Sequence, residues 1–261
     1  MLVLPKSTEF NKRIPKQKFY EKVPLPPAVK KAFTEQVKKV TWRSKLASST
    51  MSIAKGEQVT EIEVLHVLLN GPELAEDVLR LIDRAIPYHT LFLLEYDGQC
   101  RAVIGYKEVT GPDRARVQTD RYYATDWMKE EDLPLHLEGL TLDAVYENFV
   151  RQTAGDSLAF GGADGSEGDD EVSGENGGEK AGECTSEGAD EAKGEGEGTE
   201  EKKKLTLKES IELQKRKEEL EQEIARLEGK MRRERQLNRK MEIRAEVRKL
   251  KGQVGALNGG C

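Results

Sequence analysis

Cysteine is scarce in the 261 residues: Cys100, Cys184 and Cys261 stand far apart and form no CxxC pair. That argues against both a disulfide framework and a zinc site, and it fits a reducing cytoplasm. Histidine is as rare. His66, His89 and His136 have no ligand-like spacing to one another or to cysteine, so no metal site is expected. The chain has no glycine-rich phosphate loop, no HExxH and no GxSxG, and we expect no cofactor. Long apolar runs are missing too. The opening "MLVLPKSTEFNKRIPK" turns charged after three or four residues, unlike a signal peptide or a membrane span, so the expectation is a cytoplasmic protein that does not enter a membrane.

Charge is plentiful but unevenly placed. Residues 1–160 hold 22 basic and 23 acidic side chains, residues 161–200 hold 2 and 14, and residues 201–261 hold 18 and 11. The net charge of −6 therefore conceals a near-neutral, an acidic and a basic segment. The acidic one, "GGADGSEGDDEVSGENGGEKAGECTSEGADEAKGEGEGTE", is glycine and glutamate with almost nothing apolar. It cannot bury enough surface to offset the entropy of ordering, so residues 159–204 read as a disordered linker. Its charge could also screen the basic segment that follows.

Residues 1–158 carry the patterns of an α+β domain. "PPAVKKAFTEQVKKVTWRSKL" opens with proline and spaces Val29, Phe33, Val37 and Val40 as in an amphipathic helix reaching toward Trp42. "EQVTEIEVLHVLLNG" reads as a strand, "PELAEDVLRLIDRAI" as a helix with Leu74, Val78, Leu81 and Ile82 on one face, and "HTLFLLEY" as a buried strand. Strand, helix and strand in that order predict a βαβ unit with the two strands parallel. An Asp-Gly turn then leads into "QCRAVIGYKEV", "RVQTDRYYATDW" supplies a further strand, and "TLDAVYENFVRQTA" a closing helix. The expected architecture is a mixed β-sheet with packed helices.

Residues 205–257 contain no proline and no aromatic residue. Leu213, Leu220 and Leu227 recur every seven positions, with Ile224 and Met231 in the partner register, as in a coiled-coil seam suited to oligomerisation. The seam shifts around "RRERQLNRK" and restarts at Val247, Leu250, Val254 and Leu257. That pattern fits one continuous helix or a hairpin folded at the polar centre. Arg232, Arg233, Arg235, Arg239 and Lys240 in that centre are either a solvated face or a set of phosphate contacts. Lys6, Lys12, Arg13, Lys16 and Lys18 form a second basic cluster, at the other end of the chain.

Catalytic signals are thin. Glu95 and Asp97 at the end of one strand, with Lys107 on the next, are the residue types a metal-dependent nuclease needs, but the usual acid-x-lysine element is missing. In "RLIDRAIPYHTLFLLEYDG", Asp83 and His89 flank Pro87. The expectation there is a helix–strand joint, with Asp83 paired locally to Arg80 or Arg84, rather than a catalytic pair.

Taken together, "LPKSTEFNKRIPK", "IDRAIPYHTLFLLEYDG" with "IGYKE", "YYATDW", "LEGLTLDAVYENFVRQ" and "MRRERQLNRKMEIRAEVRKLK" resemble the bacterial family catalogued as domain of unknown function 4391. The resemblance covers all but the acidic segment and supplies no catalytic residue. It implies a bacterial protein of uncharacterised activity, encoded near helicase, methyltransferase or nuclease genes of mobile and phage-defence loci. The function expected is a non-enzymatic accessory or scaffold subunit, partnered with itself through the coiled coil or with a DNA-processing enzyme. A nuclease and a nucleic-acid-binding adaptor are the alternatives.

Overall fold

The computed structural model describes residues 2–22, 26–110, 116–158 and 205–259. The expected disordered linker, 159–204, lies outside the described residues. The chain divides into two compact units, Met1–Leu158 and Ala159–Cys261.

In the first unit, β1 (Glu9–Ile14), α1 (Gln17–Lys22), α2 (Pro27–Gln36), β2 (Val37–Ala47) and β3 (Glu61–Leu69) precede the crossover helix α3 (Glu76–Ala85). Then come β4 (His89–Tyr96), β5 (Gln99–Thr110), β6 (Arg116–Ala124) and α4 (Leu142–Ala154). The six strands stand in the sheet in chain order, and β3 and β4 are parallel while the other neighbours are antiparallel. This is the expected α+β mixed sheet. Side chains on both faces of β3 and β4 are largely buried, which is why these strands read as near-continuous apolar runs rather than alternating ones.

The first expected helix differs most from the sequence reading; the crossover helix also begins at Glu76, so Leu74 precedes it. The helix that opens at Pro27 stops at Gln36, and Val37, Val40 and Trp42 belong to strand β2. Helical spacing of Val29, Phe33, Val37 and Val40 misleads here. A β-branched residue at 37, 40 and 41 favours the strand, and both Val37 and Val40 are buried in the same cluster as Phe33. Lys16 secures the break by donating to the carbonyls of Phe33, Thr34 and Val37 at the helix end.

The core on one sheet face joins Phe33, Leu65, Val67, Phe92 and Leu94 to Val78, Leu81 and Ile82 of α3. Helix α4, capped by Thr141 accepting the Ala144 N–H, packs on β3, β5 and β6. The β4–β5 hairpin turns through Asp97 and Gly98, both at positive φ (50° and 75°), the geometry that an Asp-Gly pair supplies.

In the second unit, α5 (Leu207–Arg233) and α6 (Leu237–Gly259) form a hairpin rather than one continuous helix. Thr206 and Glu209 close a reciprocal capping box at its start. Ile224 and Leu227 pack against Val247, with Ile243, Leu250 and Val254 around them. Two of the five expected seam residues therefore meet α6 of their own chain, while Leu220 is buried and Leu213 and Met231 are half-buried.

Candidate functional site

Asp83 lies near the end of α3, on a helix whose neighbouring residues are core. An acid there requires a partner, and the sheet provides several. The Lys107 ammonium sits 3.1 Å from Oδ1, the Tyr122 hydroxyl donates to Oδ2 at 2.5 Å, and Thr119 Oγ1 donates to the same oxygen at 3.2 Å. Lys107 also donates to the Tyr88 carbonyl at 2.6 Å. A β-bulge between Tyr106 and Lys107 breaks the β5–β6 register where Lys107 turns toward Asp83. Gly105 makes the approach possible, because a Cβ there would lie 2.6 Å from Thr119 Cγ2 and 2.9 Å from Tyr122 Cε1. From the other side, the Tyr146 hydroxyl donates to the Gly105 carbonyl and accepts the Lys107 N–H.

Burial decides what this cluster can do. The side chains of Lys107 and Asp83 are 4% and 3% exposed, and burial foremost pushes the Tyr122 and Tyr146 hydroxyls far above the usual tyrosine range. His89 packs edge-on against Tyr146 at 4.4 Å between centroids. Burial, and then the Lys107 charge, push its pKa down to about 4, so the imidazole is neutral at ordinary pH. The arrangement is a sealed polar latch tying α3, β4, β5, β6 and α4 together. The sequence reading paired Asp83 with Arg80 or Arg84; Asp83 pairs with Lys107 instead, and Arg80 pairs with Glu76.

The three residues of the nuclease expectation do not converge. Glu95 pairs with His66 at 2.6 Å, and Asp97 forms the hairpin turn. Glu95 stands opposite Cys100 in the register, so Lys107 is seven residues farther along β5, roughly 23 Å at about 3.3 Å per residue. Lys107 is also committed to Asp83. No three His, Cys, Asp or Glu side chains among the described residues are placed to hold a metal ion.

A second acidic group lies at the start of β3. Lys45 pairs with Glu61 at 2.6 Å, and Glu63 beside it is 3% exposed. Burial and the neighbouring Glu61 carboxylate push Glu63 up to about 8, against the pull of the Trp42 indole N–H and Lys45. Neither acid was singled out from the sequence, where both read as ordinary strand residues.

The remaining candidate is the tip of the tail. Past the apolar seam, α5 ends at Arg233, and the Glu234 carboxylate accepts the N–H groups of Arg235 and Gln236 at 2.8 and 2.9 Å, which shapes the turn into α6. Arg232, Arg233, Arg235, Arg239 and Lys240 are all exposed around this turn. Leu237 and Met241 stand among them at 72% and 57% exposure. Glu234, which holds the turn, is the only acid among residues 232–240. The five cations singled out from the sequence are thus brought together at one end of a hairpin.

Among the described residues, no helix is long and apolar enough to cross a membrane. The model of the family described as domain of unknown function (DUF4391) matches residues 2–173, which is more than half of the chain. The match spans the whole sheet domain and ends inside the acidic segment, short of the helical hairpin. No curated protein and no solved structure matches the chain.

Proposed function

We propose that this chain, which belongs to the DUF4391 family, is a non-enzymatic accessory protein whose C-terminal helical hairpin binds the phosphodiester backbone of nucleic acid. The observation that carries the reading is the cluster of five exposed cations around the turn at Glu234, beyond the seam that closes the hairpin. Arginine forks suit phosphate oxygens, and several cations gathered at one turn gain by releasing the counterions of a polyanion. The tail has no aromatic residue on which a base could stack, so contact through it is independent of sequence. The sealed latch at Asp83 and Lys107 supports a structural rather than a catalytic use of this buried ion pair. In this reading the sheet domain holds a DNA-processing enzyme near its substrate, in keeping with the bacterial phage-defence setting that the family resemblance implies.

The test is fluorescence anisotropy with labelled duplex DNA across a salt series. Wild-type affinity falls steeply with salt. Replacing Arg232, Arg233, Arg235, Arg239 and Lys240 by alanine flattens the plot of log affinity against log salt by about 4.5, at roughly 0.9 per phosphate contact. An unchanged slope, or cleavage of the DNA when Mg²⁺ is added, would overturn the reading.

A further inference from the structure

The folded domain is electrically lopsided. Residues 1–45 hold 12 basic and 3 acidic side chains, whereas residues 46–160 hold 10 and 20. The first set builds α1, α2 and the strands β1 and β2 at one end of the sheet, so positive charge gathers there.

Much of that charge is already engaged. Lys45 pairs with Glu61, Arg43 with Glu130, and Lys16 caps the carbonyls of α2. Arg13, Lys38 and Lys39 are different. They are exposed, have no carboxylate partner among the described residues, and line one open groove with Ile14, Pro15 and Gln17. The register explains their grouping. Ile14 stands opposite Val40, which is buried in the core, so Lys39 and the Arg13–Thr41 pair fall on the alternate face, and Lys38 occupies the irregularity between Val37 and Lys39. Three like charges held together without counter-charge repel one another, and a polyanion relieves that repulsion.

We infer that the Arg13–Lys38–Lys39 groove at the β1–β2 end of the sheet is a second contact for the same phosphodiester backbone that the hairpin tip is proposed to bind. The inference rests on that reading and extends it to a bivalent grip by one chain. Backbone contact rather than base readout follows from the neighbouring aromatics. Phe10 is stacked on Trp42 at 4.6 Å with Lys12 over its ring, so neither ring is free for a base. DNA and RNA share the chemistry, and binding both contacts at once multiplies affinity through effective concentration.

The experiment compares four full-length proteins by anisotropy on a labelled DNA duplex and on a single-stranded RNA, across salt. These are the wild type, the groove variant Arg13→Ala/Lys38→Ala/Lys39→Ala, the five-alanine tip variant, and a control, Lys55→Ala/Arg84→Ala, that removes exposed cations elsewhere. The groove variant is expected to flatten the log–log salt slope by about two to three and to weaken binding about tenfold or more, with the control unchanged. Lys38→Arg/Lys39→Arg should bind as the wild type does, and equal thermal midpoints would show that the alanine variants are folded. A groove variant that matches the control overturns the inference. If only the groove variant loses affinity, the tip reading fails and the groove stands; if only the tip variant does, the reverse holds. A wild type that binds neither nucleic acid overturns both. The ratio of DNA to RNA affinity tells which backbone the groove prefers.

Discussion

Asp83 and Lys107 are 24 positions apart and meet at 3.1 Å, with side chains 3% and 4% exposed, where α3 crosses β5. The attraction is strong in that setting, yet removing both charges from water is costly, so the pair's net contribution to stability is small. What matters is the cost of separating them. Lys107→Met alone leaves a carboxylate in the core with only two hydroxyl donors, and should lower the unfolding free energy by about 3–5 kcal/mol. Lys107→Met with Asp83→Leu should recover a large part of the loss. Urea melts of the two variants check this; equal loss in both would mean that Asp83 gains little from Lys107.

Two buried groups set a pH optimum for stability. Folded Glu63 keeps its proton up to about pH 8, whereas an unfolded glutamate loses it near 4.5, so stability falls as pH rises through that interval. His89 acts in the opposite direction. Its folded value of about 4 lies below the ordinary 6.5, so stability falls as pH drops from about 6.5 to 4. The two slopes, each at most about 1.4 kcal/mol per pH unit, offset one another between pH 4.5 and 6.5. Thermal melts should therefore show a plateau there and a decline on either side. Glu63→Gln should abolish the decline on the alkaline side and replace the plateau by a decline that begins near pH 6.5, because the His89 slope is then unopposed.

The segment before β3 depends on one carboxylate. Asp143, in the first turn of α4, accepts the N–H groups of Glu57 and Val59 at 2.7 Å and that of Gln58 at 3.2 Å. Gly56 lies so close that a Cβ would overlap the Asp143 carboxyl. Asp143→Ala should cost about 1–2 kcal/mol, chiefly by leaving the Val59 N–H without its partner, because the exposed Glu57 and Gln58 N–H groups can turn to water. Gly56→Ala should displace the same carboxylate, so the double variant should be little worse than either single one. Full additivity in denaturant melts would contradict this coupling.

The hairpin makes a demand that a single helix does not. Because Leu227 packs on Val247, Val247→Asp should unravel the tail as much as Leu227→Asp does, with a similar loss of helical circular dichroism at 222 nm. A seam formed by α5 with a second copy would tolerate Val247→Asp. Sedimentation of the wild type adds a second check, since a hairpin that fills its own seam should stay monomeric at concentrations where the double variant Leu220→Asp/Leu227→Asp does as well.

The parts legible in the sequence are those with a strong local signature. β3, α3, β4 and the β4–β5 turn follow from apolar runs, a proline and an Asp-Gly pair. The seven-residue repeat of Leu213, Leu220 and Leu227 marks the tail as helical, but its partner cannot be read from it, because a seam closes equally well on a copy or on the same chain. The long-range relations were out of reach. Nothing in the neighbourhood of Asp83 points to Lys107, and the bulge that aims Lys107 inward has no signature of its own. A signal did exist in each partner's setting: an acid on the apolar face of α3 and a lysine in the apolar strand "AVIGYK" each require a buried counter-charge. The basic groove was hidden for a related reason. The helical spacing of Val29, Phe33, Val37 and Val40 masks the strand that the β-branched residues favour, and the placement of Lys38 and Lys39 depends on which one forms.

The order of the strands bears on how the protein is made. Each strand lies beside its predecessor in the chain, so the sheet can grow from one side as synthesis proceeds, with every new strand laid on an edge already waiting for it. Two steps wait for helices: β2 meets β1 only after α1 and α2 have been made, and β4, which runs parallel to β3, cannot dock until the ribosome has released α3 to carry the chain back. Until then the nascent protein exposes the apolar edge of β3, and that interval is when a chaperone would be needed most.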